Sequence, residues 1–218
     1  QELSQFFGTE SSILFGSAFG ANSAFFEAAL TERDDVFLDQ DLHPSFLSGV
    51  RLSKCRSSFF SISEIPKLKK GLVESTAANR VIVTPALSSR SGNVCSLKGL
   101  VDLIDARTLV FVDEGHSLGT IGDKGKGLCH SLGVTRNVDL LFSSLEKVLG
   151  GANGGIVSGR SEFIELLRQN GRPYLFSNSL PQYVVEGARE ALRILREEPE
   201  RVTSLHRKIA LTHEELTK

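Results

Sequence analysis

The chain has 218 residues, is 40% hydrophobic, and sets 25 Lys and Arg against 26 Asp and Glu for a formal net charge of -1. That is enough apolar material for one sizeable core, and the near-neutral balance gives no electrostatic reason to expect nucleic acid or an anionic membrane surface as a partner. No apolar run approaches the roughly 20 residues that span a bilayer, so no membrane span is expected. Cys55, Cys95 and Cys129 are odd in number and have neither a close pair nor metal-ligand spacing, which points to a reducing compartment and to no metal site.

Taken in chain order, short apolar runs and helical spacings alternate. A strand near Ile13–Phe15 precedes a helix over Asn22–Leu30, and a strand near Val36–Leu38 precedes a helix over Ser45–Leu52. Strands near Ser57–Phe60 and Val81–Thr84 flank a helix over Ile65–Glu74. A helix over Leu97–Ile104 leads to strands near Leu109–Val112, Leu140–Phe142 and Gly155–Ser158. Ser161–Gln169 reads as a helix with Ser161 as its N-cap and acids in its first turn. A last strand is predicted near Tyr174–Phe176, followed by a helix over Gln182–Glu197. Pro199–Lys218 reads as a charged helix that stops without a cap. Position 1 is Gln and the chain has no Met; the expectation is an internal segment of a longer protein, with a large domain over residues 1–197 and, over 198–218, the start of a helix leading to a further domain. The alternation predicts a three-layer α/β fold, a mainly parallel sheet with helices on both faces, whose ligands bind beyond the carboxyl ends of the strands.

Three chemically distinct side chains fall at such ends. The strand Thr108–Val112 stops at Asp113, with His116 just beyond, and the strand Val138–Phe142 runs through Ser143 and Ser144 to Lys147. Singly, each has a plain reading: a turn cap, a hydrogen-bonded loop histidine, a solvated lysine. Together they are accompanied by Gly119, Gly122, Gly125 and Gly127 after the acid, and Gly150, Gly151, Gly154 and Gly155 after the amine. Such clusters cost unfolded-state entropy, and a crowded ligand site explains them. An acid, an imidazole and an amine so placed are what pyridoxal 5'-phosphate needs. The lysine holds its aldehyde as a Schiff base, and the acid keeps the pyridine nitrogen protonated so that the ring withdraws electrons.

Four segments, in the right order, resemble the α-oxoamine synthases, fold type I pyridoxal-phosphate enzymes that join an amino acid to an acyl-CoA. They are Asp39-Gln-Asp-Leu-His-Pro-Ser45, Asp113-Glu-Gly-His-Ser-Leu-Gly119, Ser144-Leu-Glu-Lys-Val-Leu-Gly150 and Phe176-Ser-Asn-Ser-Leu180. The resemblance implies that Lys147 is the Schiff-base lysine and shuttles the substrate Cα proton. It implies that Asp113 partners the ring nitrogen, His116 the phenolic oxygen, and His43 the ring face. Ala18 and Phe19 fall where the family offers backbone N–H groups to the phosphate at a helix N-terminus. Ser144 replaces a phosphate-binding threonine, Ser89 matches a serine near the ring, and Asn178 lies where the family reaches across a homodimer interface to the neighbouring phosphate.

Within the family, Arg172–Leu180, Leu149–Gly155, Gly49–Cys55 and Leu97–Leu103 are most similar to the glycine C-acetyltransferase group. That likeness implies interconversion of glycine and acetyl-CoA with 2-amino-3-ketobutyrate and CoA, a step of threonine degradation. It implies a soluble enzyme, cytoplasmic if bacterial and in the mitochondrial matrix if eukaryotic. The alternatives are a decarboxylating relative, such as a serine palmitoyltransferase or 8-amino-7-oxononanoate synthase, and a non-catalytic subunit. Three departures bear on this: Ile62-Ser63-Glu64 replaces a polar entrance stretch, Ser91 replaces an acid, and Glu146 replaces the glycine before the lysine, where a carboxylate favours a protonated amine. The family's substrate-carboxylate arginine belongs to a C-terminal domain beyond this segment.

Overall fold

The computed structural model describes residues 1–150 and 153–218; Gly151, one of the glycines singled out above, lies outside the described residues. The chain runs α1 (Glu2–Phe7), β1 (Ser11–Phe15), α2 (Ala18–Ala29), β2 (Asp35–Asp39), α3 (Pro44–Ser53), β3 (Arg56–Phe60), α4 (Ile65–Glu74), β4 (Arg80–Pro85), α5 (Leu97–Val101), β5 (Thr108–Asp113), α6 (Leu128–Ser131), β6 (Leu140–Ser144), β7 (Gly155–Gly159), α7 (Ser161–Asn170), α8 (Arg172–Leu175), α9 (Gln182–Glu197) and α10 (Glu200–Leu216).

The strands form one seven-stranded sheet in the order β1-β7-β6-β5-β4-β2-β3. All neighbours are parallel except β7, which runs antiparallel to both β1 and β6. The β1 to β6 strands therefore all end on one side of the sheet. Because successive side chains in a strand face opposite ways, each central strand feeds two cores. Ile82, Val110, Val112, Leu141 and Ile156 face α4, α5, α6 and α9, through Leu68, Leu72, Leu97, Leu100, Leu128 and Leu192. Val81, Val83, Phe111, Phe142 and Val157 face α2, α3 and α7, through Phe25, Phe26, Phe46, Val50, Ile164 and Leu167. The second core is largely aromatic: Phe25 packs edge-on to Phe111 at 4.8 Å and Phe46 to Phe142 at 5.2 Å between ring centroids. Each such pair adds roughly 0.5–1.5 kcal/mol beyond its buried area, so α2 and α3 are held firmly against the strands whose ends carry the site.

Four expectations need correction. Tyr174–Phe176 is not a strand; residues 172–175 form the short helix α8, with Pro173 in its first turn. Proline presets helical φ and cannot donate to a ladder, and Leu175 and Phe176 point outward, 46% and 81% exposed. The helix over Leu97–Ile104 ends at Val101. The helix predicted to start at Asn22 starts at Ala18, capped by the Ser17 side chain, which accepts from the Gly20 N–H at 3.0 Å. Ser161 is the first helical residue of α7 rather than its cap, and its N–H donates to Glu10 Oε2. At the C-terminal end, α9 buries Val184, Ala188, Leu192 and Leu195, whereas α10 buries only Val202.

Candidate active site

A cavity of about 150 Å³ opens at the carboxyl ends of the parallel strands. It is lined by Ala18, Phe19, His43, Ser89, Asp113, His116, Ser144 and Lys147. Eight of the nine residues singled out from the sequence thus come together from the segments that follow β1, β2, β4, β5 and β6. Asn178 is the exception: it lines other recesses, together with Gly16, and its carbonyl lies 3.3 Å from where a Gly16 Cβ would be.

Asp113 ends β5 and Lys147 follows β6 by three residues, on adjacent parallel strands in which Asp113 pairs with Phe142. Between them lies Gly115, whose N–H donates to Asp113 Oδ1 at 2.9 Å. A Cβ on Gly115 would sit 2.9 Å from Asp113 Oδ1 and 3.5 Å from Lys147 Nζ, so glycine there keeps acid and amine open to a shared ligand. Burial raises the Asp113 pKa, opposed by the Gly115 N–H and the charges of Lys147 and His43. Burial, with the Lys147 and His43 charges, lowers the His116 pKa and favours a neutral ring.

The chain supports these groups with residues not singled out above. His43 caps α3: its Nδ1 accepts from the Ser45 N–H at 3.3 Å, which places the ring proton on Nε2, and it lies 2.7 Å from Ser45 Oγ. Ser45 Oγ accepts in turn from Asn22 at 2.9 Å. Asn22 lines the cavity, and its Oδ1 is buried with no partner among the described residues; an asparagine among the apolar residues of this helix face is the signal the sequence offers. Glu114, fully buried beside Asp113, has a structural task. It accepts from the Ser117 hydroxyl and from the N–H groups of Leu128 and Cys129 at 2.9 and 2.7 Å, capping α6. Asp41 also lines the cavity and accepts from Ser91 Oγ at 2.6 Å, so a carboxylate adjoins the position where the expected acid is replaced by serine.

Two members of the glycine clusters, Gly127 and Gly155, are required by close packing. None of the described glycines in them lines the cavity. A Cβ on Gly127 would strike the Glu114 carboxylate, and one on Gly155 would come within 2.6 Å of Ala21 Cβ and 2.7 Å of Ala18 Cα. Gly155 lets the start of α2 lie directly on the sheet, where Ala18 and Phe19 line the cavity. Ser144 Oγ accepts from the Glu146 N–H at 2.9 Å, fixing the turn that leads to Lys147. The Glu146 carboxylate accepts from Ala18 N–H and Gly154 N–H, both at 3.3 Å, and among the described residues no ion pair joins it to Lys147.

The model of the class I and II aminotransferases matches residues 1–218. The chain is 37% identical over 199 residues to 2-amino-3-ketobutyrate coenzyme A ligase of Salmonella typhimurium, covering 89% of this chain and 50% of that protein. It is 39% identical over 198 residues to the mitochondrial enzyme of that name from Mus musculus (90% and 48%). Against 8-amino-7-oxononanoate synthase of Thermosipho melanesiensis it is 34% identical over 220 residues (100% and 56%). The fold superposes on a serine palmitoyltransferase from S. paucimobilis with a bound PLP–myriocin aldimine at a TM-score of 0.87 and 28% identity, covering 93% of this chain and 51% of that one. The chain thus spans about half the length of the curated relatives it matches. With a sheet of this order and an acid and an amine at the ends of adjacent strands, the chain belongs to the class I and II aminotransferase family, has the fold type I architecture, and sits among its α-oxoamine synthase members.

Proposed function

We propose that the chain is the pyridoxal-phosphate-binding part of an acyl-CoA:amino acid C-acyltransferase that interconverts glycine and acetyl-CoA with 2-amino-3-ketobutyrate and CoA. The observation that carries this is the convergence of Lys147, Asp113, His116 and His43 with the N-terminus of α2 on one cavity. That donor set fits the cofactor: an amine for an aldehyde, an acid for a basic ring nitrogen, and helix N–H groups for a phosphate. Pyridoxal phosphate supplies, when bound, an electrophilic carbon and an electron-withdrawing ring.

The chain's own residues then divide the work. Lys147 Nζ provides the amine for the aldehyde and later carries a proton to and from the substrate Cα. Asp113 would partner a ring nitrogen, and a cation there would restore the charge that burial opposes. His43, its tautomer set by Ser45 and Asn22, would hold the cofactor ring, and His116 would hydrogen-bond an oxygen of it. Ala18 and Phe19 would hold the phosphate with the hydroxyl of Ser144, and Ser89 would border the ring. The glycine reaction is favoured over that of the decarboxylating relatives by the 37–39% identity to 2-amino-3-ketobutyrate ligases, against 34% and 28%. Asn178 lies in an exposed loop flanked by Phe176 and Tyr183, 81% and 77% exposed, which supports a homodimer with shared sites.

The test is Lys147→Ala in the full-length protein, assayed with glycine, alanine and serine and their acyl-CoA partners. Loss of the lysine-linked visible absorbance and of turnover is expected; retained absorbance would show that another residue holds the cofactor. Wild-type turnover confined to serine or alanine would replace the glycine reaction with that of a decarboxylating relative.

A further inference from the structure

The first turn of α2 is where the cofactor phosphate is placed by the reading above, on which this inference rests. Its Ala18 N–H already has an acceptor within the chain. Glu146 Oε1 lies 3.3 Å from Ala18 N and 3.3 Å from Gly154 N, and Glu146 lines the same cavity as Lys147 and Asp113. Its backbone is pinned at this point because its own N–H donates to Ser144 Oγ, so the carboxylate reaches α2 from the turn that carries Lys147. A helix N-terminus offers unpaired N–H groups and a partial positive charge, and a carboxylate satisfies both much as a phosphate does. The two anions cannot share one N–H at hydrogen-bond distance, and two negative charges brought to the same N–H repel each other.

We propose that Glu146 is an internal competitor for the cofactor phosphate. It fills the anion seat of α2 in the cofactor-free protein, is displaced when phosphate enters, and thereby sets cofactor affinity. Its neighbour Lys147 bonds the aldehyde end of the same molecule, so one turn couples arrival of the phosphate to the position of the amine.

The experiment compares wild-type, Glu146→Gln and Glu146→Gly full-length protein, stripped of cofactor and titrated with pyridoxal phosphate and, separately, with pyridoxal, which lacks the phosphate. The lysine-linked absorbance reports binding, and calorimetry with inorganic phosphate reports the seat alone. Removing the competing charge should tighten pyridoxal phosphate about tenfold or more and strengthen inorganic phosphate binding, while pyridoxal affinity stays unchanged. Equal tightening of pyridoxal and pyridoxal phosphate would overturn the proposal, since the effect would then lie at the lysine. Unchanged or weaker pyridoxal phosphate binding in Glu146→Gln, which keeps the shape and the acceptor, would overturn it as well. A wild-type protein that forms no lysine-linked absorbance with either compound would overturn the cofactor-site reading, and this inference with it.

Discussion

Asp113 is a carboxylate whose surroundings oppose its charge. Burial raises its pKa, so in the cofactor-free protein this group favours folding at low pH, and that contribution is lost as pH rises through its folded-state value. Replacing it with asparagine removes the loss. Melting temperatures of cofactor-free Asp113→Asn and wild type should therefore diverge as pH rises above the ordinary carboxylate range of about 4, with the variant gaining on wild type; parallel curves would mean that the acid is not held against its charge. In the loaded protein the same substitution should cost activity. An amide cannot balance a cationic ring nitrogen, and substrate Cα proton exchange should fall by about 10²-fold or more, about 3 kcal/mol of barrier. A near-normal exchange rate would remove Asp113 from that role. The placement of Asp113 at a strand end was legible in the sequence. The conflict between Asp113 and its burial was not, because desolvation depends on what α2 and the β4–β5 ends pack around it.

At the scale of the element, α2 carries more of the site than its sequence suggests. Its body is anchored by Phe25 and Phe26 in the aromatic core, and its first turn touches the sheet only because β7 offers glycine at 155. Gly155→Ala places a methyl group against Ser17 O, Ala18 and Ala21, and most of these atoms are backbone that cannot move aside as a flexible side chain would. A cost of about 1–3 kcal/mol is expected from overpacking, read as a lower denaturant midpoint at unchanged slope. The displaced helix start should also weaken pyridoxal phosphate more than pyridoxal. Equal loss for both compounds would mean that the first turn does not bear on the phosphate. The mistaken strand at Tyr174–Phe176 belongs to this scale too. Three apolar residues carry no period long enough to separate strand from helix, and Pro173 together with the outward Leu175 and Phe176 decided for α8.

For the whole molecule, the sheet order sends the ends of β1, β2, β4, β5 and β6 to one side, while Asn178 lines a different recess, outside the cavity of its own chain. Among the described residues no helix is long and apolar enough to cross a membrane. Phe176 and Tyr183 are exposed on either side of Asn178 in the chain, and a second copy of the chain is the partner proposed for them. Mixing a Lys147→Ala subunit with an Asn178→Asp subunit tests it. The aspartate sets a negative charge against the neighbour's phosphate. If Asn178 acts across the interface, a mixed dimer has one site with both defects and one with neither, and activity partly returns. Heterodimers that form without restoring activity would place Asn178 in its own chain's site.

The alternation of strands and helices, the parallel sheet and the positions of Asp113, His116 and Lys147 at strand ends could be read from the sequence, because they follow from local periodicity and from where apolar runs stop. The four matched segments marked His43, Ser144 and Asn178, while Ala18, Phe19 and Ser89 rested on the wider resemblance to the family. Only the tertiary structure decided that Gly155 and Gly127 serve close packing on α2 and Glu114 rather than the cavity wall, that Glu114 is a buried cap, and that His43 is steered by Ser45 and Asn22. It alone turned the Glu146 carboxylate toward α2 instead of toward Lys147. Most of these are contacts between residues well separated in the chain, such as Asn22 with Ser45 and Glu146 with Ala18, and their partners are fixed by how two cores close over a sheet, which no spacing along one segment encodes.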